Sequence, residues 1–224
     1  MQGGTVEDFP FVEAADRFGF RRWHLAGAVC FIDVDNDSYL DFVGNGVYAS
    51  PELYRFVPGE GYVQQEDETL AKIANVPSAC VAADFDNDGF TDLYFPSAAW
   101  FGAGSNKLLK NNGGKGFVDK SDLGDNGLVD QNSCGVSTLD YNKDGLLDIV
   151  VSGIKGGSAR LLRNDGDFKF TNVSVEAGFS DNKAVTIGLA VGDVTGNGYP
   201  DVFVNSFGPN ALYINQGDGT FHDI

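Results

Sequence analysis

The stretch DFDNDGFTD, residues 84–92, places side-chain oxygens on Asp84, Asp86, Asp88 and Asp92, at positions 1, 3, 5 and 9 of a nine-residue loop, with Gly89 at position 6. This is the alternation of a chain wrapped around a hard cation, since Ca2+ takes about six to eight oxygen ligands and a backbone carbonyl, here that of Phe90, fits between the side chains. Glycine at position 6 permits the turn that aims that carbonyl inward. The pattern recurs as DVDNDSYLD (33–41), DYNKDGLLD (140–148) and DVTGNGYPD (193–201). The candidate ligands there are Asp33, Asp35, Asp37, Tyr39 and Asp41; Asp140, Asn142, Asp144, Leu146 and Asp148; and Asp193, Thr195, Asn197, Tyr199 and Asp201, with Tyr39, Leu146 and Tyr199 offering carbonyls.

An EF-hand would need a bidentate Glu at position 12. Those positions are Gly44, Phe95, Val151 and Val204, inside strand-like runs, so that reading fails. One acidic turn is weak evidence of metal, whereas four in one register predict up to four Ca2+. The fourth loop has two carboxylates and the second has four, so the fourth site is expected to be weakest. Ser38 stands where the other three loops have glycine.

Charge supports the same reading. The 224 residues carry a formal net charge of −17, but thirteen of the 32 acidic residues occupy ligand positions, leaving nineteen against 15 Lys and Arg. Four divalent cations would bring −17 to −9. The acidity is largely a ligand set whose mutual repulsion a metal relieves. No basic stripe is present for nucleic acid, and no run reaches the roughly 20 apolar residues of a spanning helix.

The loops start 51, 56 and 53 residues apart, which makes the chain an array of repeats, bounded approximately at 9–62, 63–117, 118–170 and 171–224. Each repeat has the same parts in the same order. A small, apolar run (AGAVCFI, SACVAA, CGVSTL, IGLAVG) precedes the loop, and a β-rich run (DFVGN, DLYFP, DIVVS, DVFVN) follows it. A third run (LYRF, LLKN, LLRN, LYIN) and a fourth after a Gly-containing turn (GYVQ, GFVD, FKFTN, GTFHDI) complete the unit. Four short strands without a long helical period make one antiparallel sheet. Such sheets must pack face to face, which predicts an all-β propeller domain over 1–224. FVEAADRFGF (11–20) aligns with FTNVSVEAGF (170–179) and duplicates the fourth strand, so a closed four-bladed ring and a segment of a larger ring both remain open.

Motifs such as FDNDGFTDLYF and NALYINQGDGTFHDI resemble the FG-GAP and VCBS repeat class, with integrin α-type calcium loops, and most of all its cartilage acidic protein group. The resemblance covers essentially the whole chain. It implies a β-propeller with Ca2+ between the first and second strands of each blade, in proteins often secreted and engaged in adhesion or matrix contacts. It does not imply a single function, because one fold hosts binders and enzymes alike.

If the acidic turns lie at one end of the blades, the remaining turns gather at the other. That end collects Tyr48, Trp100, Phe101 and Phe207, together with Arg21, Arg22, Trp23 and His24, residue types that anchor recognition surfaces. The expected function is a protein-interaction, adhesion or scaffold module with structural Ca2+ and a protein or glycan partner. The alternatives are a carbohydrate-active, lyase-like propeller enzyme and a structural subunit of a larger assembly. His24 and His222 are the two histidines and neither sits in a recognisable catalytic motif, so an enzyme is not expected. Cys30, Cys80 and Cys134 are odd in number and lie in or beside apolar runs, which reads as small buried residues. Asn172-Val173-Ser174 is a glycosylation sequon. An extracellular, secretory or calcium-rich lumenal compartment is expected, although no signal peptide is visible in this numbering.

Overall fold

The computed structural model describes residues 25–46, 49–73, 77–97, 105–122, 133–153, 159–179 and 185–224. Within them the chain forms sixteen strands and one short helix. The first sheet holds β1 (Leu25–Ile32), β2 (Asp41–Gly46), β3 (Glu52–Val57) and β4 (Gly61–Gln65). The second holds β5 (Val81–Ala83), β6 (Asp92–Phe95), β7 (Lys107–Asn111) and β8 (Phe117–Asp119). The third is built from β9 (Val136–Leu139), β10 (Asp148–Val151), β11 (Arg160–Asn164) and β12 (Phe170–Asn172), the fourth from β13 (Val185–Gly192), β14 (Asp201–Phe207), β15 (Ala211–Asn215) and β16 (Phe221–Asp223). Each sheet is a sequential antiparallel meander. The fold is therefore all-β, four blades of four strands, in agreement with the expectation from the repeats.

Three apolar clusters bind the blades in series. Blades one and two share a cluster including Val34, Val43, Leu53, Leu93 and Leu109. Blades two and three share one with Phe85, Tyr94, Leu108, Ile149 and Leu162, and blades three and four one with Tyr141, Val150, Leu161, Val202 and Tyr213. Strand alternation explains the division: Tyr94 and Leu108 point forward to the next blade, while Leu93 and Leu109 point back. Among the described residues no buried cluster joins blade four to blade one, so these sheets form an open arc of a propeller.

The innermost strands β1, β5, β9 and β13 run past one another along the arc. Small residues allow the approach, since a Cβ on Gly135, just before β9, would stand 3.2 Å from the Ile187 carbonyl oxygen of β13. Here the cysteines depart from expectation. Cys30 on β1 and Cys80 just before β5 form a disulfide that ties the first two blades, with Cα atoms 5.8 Å apart. Both are half-buried, and Cys134 lies outside this bridge, also half-buried. The one helix, α1 (Glu68–Ala71), links blades one and two. Asp67 caps it by accepting from the backbone N–H of Thr69 and Leu70, and its second oxygen accepts from Phe117 N–H in β8.

Candidate metal centres

Each acidic loop joins the first and second strand of its blade, so the four lie at one end of the arc. Their winding is shared. Positions 4 and 6 are left-handed in every copy: Asn36 and Ser38 (φ 59° and 73°), Asn87 and Gly89 (57° and 87°), Lys143 and Gly145 (59° and 85°), Gly196 and Gly198 (72° and 85°). The first aspartate holds that winding. Asp84 accepts from Asp88 and Gly89 N–H at 3.1 and 2.9 Å, and Asp33, Asp140 and Asp193 accept from the corresponding amides. The position-5 residues Asp37, Asp88, Asp144 and Asn197 each accept from the N–H two residues on.

The alternation brings carboxylates together. Ligand oxygens of Asp33, Asp35 and Asp37 lie within 4.8 Å of one another, and so do those of Asp84, Asp86 and Asp88. Either cluster is a set of hard oxygen donors able to hold a metal ion. One oxygen of Asp86 is buried without a hydrogen-bond partner, an arrangement a cation would relieve. The third and fourth loops also converge, but Asn142, Thr195 and Asn197 replace carboxylates there. Asn142 Nδ2 donates to Asp144 at 2.8 Å, and the Thr195 hydroxyl leans on Asp193 at 3.4 Å.

Sequence reasoning missed the cations that face the loops. Lys110 on β7 bonds both Asp86 and Asp88, the latter at 2.7 Å, and Arg55 on β3 pairs with Asp35. Burial opposes the charge on Lys110, but its bonds to Asp86 and Asp88 prevail and raise its pKa, while the Lys110 bond lowers that of Asp88. The equivalent Arg163 turns aside to Asp165 at 2.6 Å, and Ile214 replaces it in the fourth blade. The signal was present in LYRF, LLKN and LLRN, where the third residue is basic.

The position-9 aspartates have a second occupation. Asp41, Asp92, Asp148 and Asp201 are buried. In each, one oxygen accepts from the N–H at loop position 2 and the other from the third strand: Asp92 takes Phe85 N–H at 3.0 Å and Asn111 N–H at 2.8 Å. The same pair of bonds recurs at Asp41, Asp148 and Asp201. Burial pushes Asp92 and Asp148 up to about 7, against the pull of those backbone bonds, with nearby loop carboxylates adding to the rise.

The third strands of blades two to four end in an asparagine that clasps the loop of the preceding blade. Asn111 Nδ2 donates to Val34 O at 2.8 Å, Asn164 Nδ2 to Phe85 O at 2.8 Å and Asn215 Nδ2 to Tyr141 O at 2.9 Å. Neighbouring loops are also linked directly: Asn36 donates to Gly89 O, Asn87 to Gly145 O, and the Lys143 ammonium sits 3.9 Å over the Tyr199 ring. The acidic loops thus form one continuous rim.

Of the residues expected at the opposite end, Phe207 ends β14 away from the loops and is exposed. Tyr48, Trp100, Phe101, Arg21, Arg22, Trp23 and His24 lie outside the described residues, as does the segment 11–20. His222 is exposed on β16. Asn172 accepts from the N–H and hydroxyl of Ser174, whose oxygen in turn accepts from Leu161 N–H. Asp119 and Ser121 repeat this turn in blade two, so the sequon coincides with a structural turn of the repeat.

Four-stranded blades, each with a DxDxDG-type loop between its first two strands, define a class, and the FG-GAP-like repeat model matches residues 28–95, 140–204 and 193–224. The chain belongs to the FG-GAP-like repeat family. Among proteins it is similar to cartilage acidic protein 1, at 26% identity over 152 residues with the Xenopus tropicalis protein and 27% over 152 with the Homo sapiens one. These alignments cover 65% of this chain and only 23% of the relatives. Among solved structures, an Agrocybe aegerita lectin that recognises non-reducing terminal N-acetylglucosamine superposes with a TM-score of 0.54 at 21% identity, over 91% of this chain and 52% of the lectin chain. That likeness concerns the fold.

Proposed function

We propose that the protein is a calcium-binding propeller module whose metal is structural and whose task is to bind a protein or glycan partner. The observation that carries the reading is the recurrence of one loop geometry four times on one rim, with three carboxylates converging within 4.8 Å in each of the first two copies. Oxygen donors in this number suit Ca2+ better than a softer metal. The first, third and fifth positions and the position-7 carbonyl would hold the ion, with the buried position-9 aspartate joining them. Bound Ca2+ supplies charge neutralisation, while the chain supplies a loop already wound by its own hydrogen bonds. Asparagine and threonine in the fourth loop leave it fewer charges, so that site is proposed as the weakest.

A partner-binding role draws support from the likeness to cartilage acidic protein 1, a protein named for cartilage. An extracellular or calcium-rich compartment is consistent with the Cys30–Cys80 disulfide, since such bridges persist in oxidising surroundings. Calcium titration by calorimetry, with melting curves in Ca2+ and EDTA, tests the metal reading. A ligand held only by the folded state adds about 2.7 kcal/mol at one hundred times its dissociation constant, so chelation is expected to lower the melting temperature by several degrees. Identical melting in EDTA refutes it. Asp193→Ala should leave the tightest binding event intact, whereas Asp84→Ala should abolish one of the tight events.

A further inference from the structure

The third residue of the third-strand run changes in step with position 3 of the acidic loop. Where position 3 is a carboxylate, the strand sets a cation against it. Arg55 pairs with Asp35 and stands 3.9 Å from Asp41, and Lys110 pairs with Asp86 and, at 2.7 Å, with Asp88. Where position 3 is Asn142 the equivalent Arg163 bonds Asp165 instead, and where it is Thr195 the strand has Ile214. Four carboxylates and one cation leave loops one and two at −3 each, the charge that Asp140, Asp144 and Asp148 alone give loop three. The cation offsets the extra carboxylate.

We propose that Lys110, and Arg55 in the same register, are specificity-determining residues of the cation sites, a charge built into the third strand that sets how tightly, and for what ion charge, the loop binds. The inference rests on the calcium reading of the loops. Lys110 competes directly at Asp88, where one oxygen accepts from Phe90 N–H at 2.9 Å and the other from the ammonium. An ion in loop two must therefore draw on a carboxylate that the ammonium already holds. At Asp86 one oxygen takes Lys110 while the other is buried without a hydrogen-bond partner, so the same ammonium orients that carboxylate. Salt does not screen these contacts away, because Arg55 and Lys110 expose only 14% and 26% of their side chains. Lys110 also has a second seat, since its ammonium lies 5.2 Å from the centre of the Phe168 ring in blade three. An ion that draws Asp88 away leaves the ammonium on an aromatic face.

Calcium titration of Lys110→Met tests the proposal, because methionine keeps an apolar stem of similar length and removes the charge. One calcium event is expected to tighten by about tenfold or more. Terbium, with three charges, should gain about half again as much on a logarithmic scale, since the repulsion removed is proportional to the charge of the ion. Lys110→Gln should behave alike, Lys110→Arg should return both affinities to near the wild-type values, and adding Asp84→Ala to Lys110→Met should abolish the gain. In EDTA the Lys110→Met protein should melt below the wild type, because Asp86 and Asp88 then repel without a counter-charge. A calcium event that Asp84→Ala removes, yet Lys110→Met leaves unchanged or weakens, overturns this proposal and leaves the calcium reading standing. Equal gains for the two ions overturn it as well, since a loosened loop rather than charge then accounts for them. A wild-type protein without any calcium event overturns both.

Discussion

Asn164→Ala probes the joint between blades two and three at a single atom. The amide nitrogen of Asn164 donates to Phe85 O at 2.8 Å and to Leu147 O at 3.1 Å, and its carbonyl oxygen accepts from Gly166 N–H at 3.0 Å. Asn164 and Phe85 are both buried, so alanine leaves carbonyls without a donor or water to replace it. Each unsatisfied buried group costs about 1–3 kcal/mol. The Gly166 amide is less enclosed and recovers part of its loss, which places the total at about 2–4 kcal/mol. For a chain of this length that corresponds to a fall of roughly 5–15 °C in melting temperature. Urea unfolding and melting, both at fixed calcium, measure it, with the exposed Asn112→Ala as control. Asn164→Asp sharpens the test: it keeps the acceptor for Gly166 but aims a carboxylate at two carbonyls, so near neutral pH it should be at least as harmful as alanine. A loss below about 1 kcal/mol for Asn164→Ala, or an aspartate milder than alanine, refutes the clasp as a stabilising element.

Ser38 holds φ 73° where all three siblings have glycine, so Ser38→Gly is expected to stabilise the protein by about 1 kcal/mol, read as a higher urea midpoint at unchanged slope. In the metal-free protein Asp92 and Asp148 have folded pKa values near 7, above the ordinary carboxylate value of about 4. The fold favours their protonated forms, so this contribution is complete below about pH 4 and declines as pH rises through 7. Melting in EDTA should therefore decline across that window, and calcium, which favours the carboxylates, should flatten the slope. Cys30 and Cys80 close a loop of 50 residues, and Cys30→Ser should cost about 2–4 kcal/mol, matched by treatment of the native protein with a reductant.

The architecture was legible because its signals are local. Turn residues, a two-residue alternation and an acidic loop all act within about ten positions, and repetition separated them from noise. The candidate ligands were legible for the same reason. What escaped was chemistry between repeats. Asn111, Asn164 and Asn215 looked like the ends of strands, and their partners stand 74 to 79 residues away. The disulfide escaped because three cysteines at unequal offsets from their loops carry no pairing rule. Asp92 and its siblings were read as ligands alone, although burial and two backbone bonds give each a role in tying the loop to the third strand.

The asparagine clasps also impose an order on synthesis. Each is supplied by the blade that follows, so the loop carbonyl of Val34 meets its donor 77 residues later, that of Phe85 79 later and that of Tyr141 74 later. At elongation rates of about 5–20 residues per second, each of the first three blades waits roughly 4–15 seconds for the strand that secures it. A growing chain thus always exposes one unfinished blade at the ribosome while the blades made earlier are already locked.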